Sequence, residues 1–226
     1  MVKFNGFTLA EVLITLVIIG IIAAMTIPTL MNKTNEQESV VALKKAYSIV
    51  SQAYKRVIVE NGEINPETLN GNDASKNLSA MFVPYFSVQK VCGHSSEGDC
   101  FAGMYKKFNG TDWWNGKTDT SCYKMRLSDG MSLAIFGFPE YRTFGNGEPL
   151  TYVFGQAYID LNGDKGPNTL GKDMFIFYIS KYGVFPFGMP DDTSFPFSDC
   201  RNTGFGCAAW VITKGNMDYL HKDVSW

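Results

Sequence analysis

Glu11 is a lone carboxylate in a long apolar run, with no charged residue from Val12 to Met25. On a single helix in hydrocarbon such a group costs about 3 kcal/mol. Either it lies near the interface and reaches water, or it awaits a cation from a neighbouring chain. A second oxygen-rich set surrounds a Gly-Pro turn: Asp160, Asn162, Asp164, Asn168 and Asp173. Side-chain oxygens spaced in this way can converge on a hard cation, with Asp160, Asn162, Asp164 and Asp173 as ligands to calcium. The loop is not an EF-hand, because Gly171 stands where the twelfth-position Glu would be. The alternative is a metal-free hairpin in which Asn162-Gly163 makes the turn and the carboxylates are solvated.

Other reactive groups are sparse. The two histidines, His94 and His221, stand far apart, and no GxSxG, HExxH or P-loop spacing occurs. The expectation is a protein that is not an enzyme. Trp113-Trp114 can stack on sugar rings or bases, or can anchor a loop to the core. Lys and Arg are scattered and the net charge is −2, so a nucleic-acid partner is not expected. None of the five cysteines forms a CxxC pair, which argues against zinc and thioredoxin-like chemistry.

The elements that carry these residues differ sharply along the chain. Apolar character runs from Phe7 to Ile27. At 1.5 Å per residue, about 20 residues cross the ~30 Å hydrocarbon core of a bilayer. Ala23 and Ala24 make a poor signal-peptide cut site, so a retained membrane helix over 7–30 is the better reading. Beyond Pro28, Val40, Leu43, Tyr47, Val50, Tyr54 and Val57 recur at steps of three and four, an amphipathic helical stripe ended by Asn61-Gly62. Residues 62–226 are rich in Gly and aromatics, as in an antiparallel β domain. Strands are expected at Cys122–Leu127, Met131–Phe136, Thr151–Ile159 and Met174–Ile179, with Asp129-Gly130 as a hairpin turn. Residues 63–121 show few periodic runs, and Ala208–Ile212 fits a short helix or a strand.

Lys3, Gly6, Phe7 and Glu11, ahead of an unbroken apolar run, resemble the processing site of type IV prepilins and type II secretion pseudopilins. The resemblance covers about the first thirty residues. It implies that prepilin peptidase removes a leader, residues 1–6, by cutting after Gly6, and that the new amino terminus on Phe7 is methylated. It also implies that Glu11 pairs with that amine on an adjacent pilin-like subunit, which relieves an otherwise unpaired charge. The Asp residues flanking a Gly-Pro turn are similar to the calcium loops of some pseudopilins.

The expected fold is α+β and pilin-like: a long N-terminal helix, half in the membrane (7–30) and half amphipathic (31–61), packed on an antiparallel sheet domain (62–226). Lys3 and Lys33 flank the span, so the cytoplasmic N-terminus rests on the resemblance. An exported domain permits disulfides. Cys200 and Cys207 bracket a short flexible stretch whose closure adds about 2.5 kcal/mol. Cys92 and Cys100 bracket another, with Cys122 competing for either partner. The expected function is a structural subunit of a type II secretion pseudopilus or type IV pilus-like filament in the bacterial inner membrane, working with its assembly machinery. The alternatives are an adhesive or DNA-uptake pilin, or a tethered binding or enzyme domain that never polymerises.

Overall fold

The computed structural model describes residues 8–226. Helix α1 spans Leu9–Asn61, and the chain divides into two compact units at Glu38 and Ser39. In the first unit the apolar side chains stand exposed, Leu13 by 55% and Ile19 by 62%. The helix is long and apolar enough to cross a membrane, with a mean hydropathy of 2.5 in its best window. Thr15 and Thr26 turn their hydroxyls back onto the carbonyls of Val12 and Ile22, both at 2.9 Å. These polar groups are therefore satisfied within the helix, as hydrocarbon demands. Pro28 lies inside α1 and supplies no N–H to the helical ladder.

The second unit takes in the helix from Ser39 onward. Val40, Leu43, Val50, Tyr54 and Val57 are buried, together with Ala46 and Ala53 from the same face. Tyr47 is half-buried. Its ring meets Phe177 edge-on at 5.4 Å, and its hydroxyl donates to the Val184 carbonyl at 3.1 Å. Gly62 ends the helix at φ +78°, a left-handed conformation that costs glycine little, and its N–H caps the Ile58 carbonyl at 3.0 Å.

The segment 63–121, sparse in sequence signals, holds α2 (Ala74–Phe82), β1 (Val88–Gly93), β2 (Met104–Lys106) and β3 (Asp112–Asn115). The expected strands follow: β4 (Tyr123–Leu127), β5 (Ser132–Arg142), β6 (Val153–Asp160) and β7 (Met174–Ser180), joined by β8 (Gly183–Pro186). A single turn, α3 (Glu148–Thr151), precedes β6, and α4 (Cys200–Thr203) and α5 (Cys207–Lys214) come last. Ala208–Ile212 is thus helical, stopped at Gly215, whose N–H bonds the Val211 carbonyl at 3.0 Å.

The main sheet has the order β1-β4-β5-β6-β7-β8, antiparallel throughout, and β2 pairs with β3 in a separate ribbon. At Asp129-Gly130 the Gly130 N–H bonds the Leu127 carbonyl at 3.0 Å, the hairpin turn expected there. Every residue of β7 is buried, because both faces of the sheet are covered. Phe175, Phe177 and Ile179 join the core that includes the α1 stripe. Met174, Ile176 and Tyr178 alternate into a second core with Phe101, Tyr105 and Trp114. The second core is tied together through β2 and the residues that follow it. Lys106 donates to Asn168 and accepts from Leu170 (3.0 and 2.9 Å), while Phe108 and Asn109 donate to Thr203 and Asn202 (3.0 Å each).

Candidate functional site

Gly6 and Phe7 lie outside the described residues. The structure does describe the start of α1, where Thr8 and Glu11 form a reciprocal cap. Glu11 Oε2 accepts the Thr8 N–H and the Thr8 hydroxyl, each at 2.8 Å, and the Glu11 N–H donates to Thr8 Oγ1 at 3.3 Å. This is the Ser/Thr-x-x-Glu capping box, which satisfies helix-start donors that hydrocarbon would leave unpaired. One oxygen of the Glu11 carboxylate is therefore engaged within its own chain. The spacing of Thr8 and Glu11 is legible in the sequence, and reading Glu11 only as a membrane charge overlooked it.

The loop after β6 brings three of the four expected oxygen residues together. Asp160 is completely buried and Asp173 is 3% exposed. Asp160 accepts the Tyr105 hydroxyl on Oδ2 and the Asn162 N–H on Oδ1 at 3.0 Å. Asp173 accepts the N–H groups of Thr169 (2.7 Å) and Asn168 (2.8 Å). Burial pushes the Asp160 carboxyl up to about 7; the Tyr105 hydrogen bond opposes this and the charge of Asp173 adds to it. Burial raises Asp173 as well, against the pull of its backbone donors.

Four oxygens surround the Asn162 amide. Turned to satisfy its nitrogen, the amide donates to the Lys165 carbonyl at 2.6 Å and to Asp160 Oδ1 at 3.1 Å. Its oxygen then faces the Gly166 carbonyl and Asp173 Oδ2, at 3.4 and 3.5 Å from the same terminal position. Oxygens thus outnumber protons at this point.

Asp164 does not converge with the others. Its carboxylate is 69% exposed and pairs with Arg126 at 3.2 Å. The Arg126 guanidinium also donates to the Asp99 carbonyl at 3.1 Å. Gly163 holds φ +78°, a left-handed conformation that favours glycine, and a Cβ there would displace the Arg126 guanidinium, 1.6 Å away. Among the described residues, no group of three or more His, Cys, Asp or Glu side chains is placed to hold a metal. Any cation site here consists of Asp160, Asn162, Asp173 and main-chain oxygens.

Both expected disulfides are formed, Cys92–Cys100 and Cys200–Cys207, and Cys122 is a buried free thiol. The tryptophan pair anchors the ribbon to the second core. Trp114 is 8% exposed and its indole N–H donates to Asp119 Oδ2 at 2.5 Å, while Trp113 is half-buried against Phe205.

One group escaped sequence reasoning altogether. Lys124 is 1% exposed, and its three ammonium N–H donors are shared among four carbonyls: Ser95 (2.9 Å), Gly116 (3.1 Å), Lys117 (2.8 Å) and Asp119 (2.6 Å). This buried cation gathers the Cys92–Cys100 loop and the turn after β3 onto the sheet. The available signal was the alternation Cys122, Lys124, Arg126, which sets two cations on the inward face of a strand.

No curated protein and no solved structure matches the chain. Residues 1–27 match the family model of the prokaryotic N-terminal methylation motif. That match ends one residue short of Pro28, within helix α1, which runs on to Asn61. The chain carries the N-terminal signature of type IV pilins and pseudopilins.

Proposed function

We propose that this protein is a structural, non-enzymatic subunit of a pilus-like filament, and that the filament is a type II secretion pseudopilus. The observation that carries the reading is the methylation motif over residues 1–27, set directly on an apolar helix that α1 continues into the folded domain. A leader removed at Gly6 leaves that helix in the product, so the subunit waits in the inner membrane with its N-terminus cytoplasmic and its domain exported. The two disulfides support export, because bridges persist in oxidising compartments.

Subunits leave the bilayer by packing their apolar helices against one another. In the isolated chain Glu11 is held by Thr8; at assembly it exchanges that cap for the methylated amine of Phe7 on the next subunit. An ion pair in a dry filament core favours one axial register, since misplacement leaves both charges unpaired. Calcium held by Asp160, Asn162 and Asp173 would offset the oxygen excess around the Asn162 amide and stiffen the loop between β6 and β7.

Intact mass of the protein recovered from membranes tests the reading. The expected species begins at N-methylated Phe7, and Gly6 replaced by a bulky residue leaves the full-length chain. Retention of Met1 in the wild type, or cleavage near Ala24, overturns the proposal.

A further inference from the structure

The sheet face opposite the α1 stripe carries a polar group in unusual surroundings. Gln156 on β6 stands directly between Phe136 on β5 and Tyr178 on β7. A series of ring contacts leads from one of these neighbours round to the other. Phe136 meets Tyr158 at 4.3 Å, Tyr158 meets Trp113 at 5.6 Å and Trp113 meets Phe205 at 5.0 Å. Phe205 continues to Phe195 at 4.9 Å, Phe195 to Phe144 at 6.3 Å, and Phe144 closes on Tyr178 at 4.9 Å. Gln156 thus lies beside a continuous series of aromatic side chains, all of them half-buried except the fully buried Tyr178 and Phe187, which bridges Tyr178 and Phe195.

Gln156 itself is 7% exposed. Its amide oxygen accepts the Tyr158 hydroxyl at 3.4 Å, and its amide nitrogen has no partner among the described residues. The nitrogen is not one of the buried atoms left without a partner, so it reaches solvent. A directional donor therefore stands open beside an aromatic rim.

The chemistry around it selects the ligand. The rim holds no charged side chain, and the Arg142 guanidinium stacks on the neighbouring Phe138 at 4.1 Å. A nucleic-acid strand would need a cationic track for its phosphates beside the stacking rings. A protein partner would need about 800 Å² of its own surface to form a stable interface, and half-buried rings offer little area. A small neutral ring meets both limits. The C–H faces of a pyranose pack on aromatic rings, and its hydroxyls accept from an amide N–H and exchange hydrogen bonds with a phenol.

We infer that the aromatic rim beside Gln156 is a binding site for a neutral glycan, which it holds through one pyranose unit. The inference goes beyond the filament reading and rests on no part of it. The test uses full-length protein in amine-oxide micelles, which carry no sugar headgroup. Maltohexaose, cellohexaose and chitohexaose are each titrated while tryptophan fluorescence is followed.

Saturable binding of at least one of them is expected, with a Kd of about 1 mM or tighter. Gln156→Leu and Trp113→Phe should each weaken that binding about tenfold, the loss of one hydrogen bond or one stacking surface. Trp113→Phe keeps a ring in place and guards against a folding defect in Gln156→Leu, with far-UV circular dichroism as the check on both. No saturable change with any of the three sugars overturns the inference, as does unchanged affinity in both folded variants. Salt-sensitive binding of oligothymidylate in place of the sugars overturns it too.

Discussion

Replacing Asp160 by Asn should change the pH dependence of stability in a calculable way. In the unfolded chain the carboxyl titrates near 3.9. In the folded domain burial raises it to about 7. The native state therefore holds a proton that the unfolded state has released, and stability falls as pH rises through that window. Below the unfolded pKa both states are protonated and nothing is lost. Above the folded value both are ionised and the loss is complete. Three pH units at about 1.4 kcal/mol each give a total of about 4 kcal/mol.

The amide of the Asp160→Asn variant cannot ionise, so the variant lacks this contribution while Asp173 still titrates in both proteins. Urea unfolding of wild type and Asp160→Asn, in chelator, from about pH 4 to about pH 8 provides the measurement. The stability of wild type minus that of the variant should drop by up to about 4 kcal/mol between pH 4 and pH 7, then level off. A difference that stays constant across the range would refute a buried, proton-holding Asp160.

Three further outcomes follow from the same geometry. Glu11→Ala removes both the helix cap and the charge, whereas Glu11→Gln keeps an acceptor for Thr8 and loses only the charge; filament yield should collapse in both, and rescue by Gln would make Glu11 a cap alone. Lys124→Met leaves the carbonyls of Ser95, Gly116, Lys117 and Asp119 without their cation. It should cost about 3 to 5 kcal/mol in urea unfolding, with faster amide exchange across 94–119, and a loss below about 1 kcal/mol would mean that water takes the place of the ammonium. Millimolar calcium should raise the melting temperature of a fragment spanning 39–226, by about 2.7 kcal/mol of stabilisation at a hundredfold excess over Kd. Asp160→Ala and Asp173→Ala should abolish that gain and Asp164→Ala should retain it, while identical melts in calcium and in chelator would remove the metal.

Legibility from sequence followed the range of the interactions. The α1 stripe, its stop at Gly62 and the β4–β5 hairpin are local patterns, and each appears where its residues indicate. The strands β1, β2 and β3 are short and bulged, and β1 pairs with the distant β4, while β2 and β3 are too short for a local period to announce them. In the 160–173 loop the spacing identified Asp160, Asn162 and Asp173 but not the diversion of Asp164. That diversion depends on Arg126, which arrives from another strand. Lys124 illustrates the same limit: an inward lysine is readable from alternation, whereas its four acceptors come from two separate loops. Gln156 lies in an otherwise ordinary strand, and the aromatic rim beside it exists only once β5, β6 and β7 pair and the 195–205 region folds over them.

The hydrogen bonds that the stretch 106–109, the end of β2 and the residues after it, makes to both the 168–170 and the 202–203 segments have a mechanical consequence. Two loops far apart in sequence share one support, so opening either one strips bonds from the stretch 106–109 that holds the other. Their local unfolding free energies are therefore coupled. If the proposed calcium orders the 160–173 loop, it would protect the Cys200–Cys207 loop from reductant, and the intact bridge would tighten the hold on the ion by the same factor, since such coupling is reciprocal. In the proposed filament, a pull that opened one of these loops would loosen the other with it.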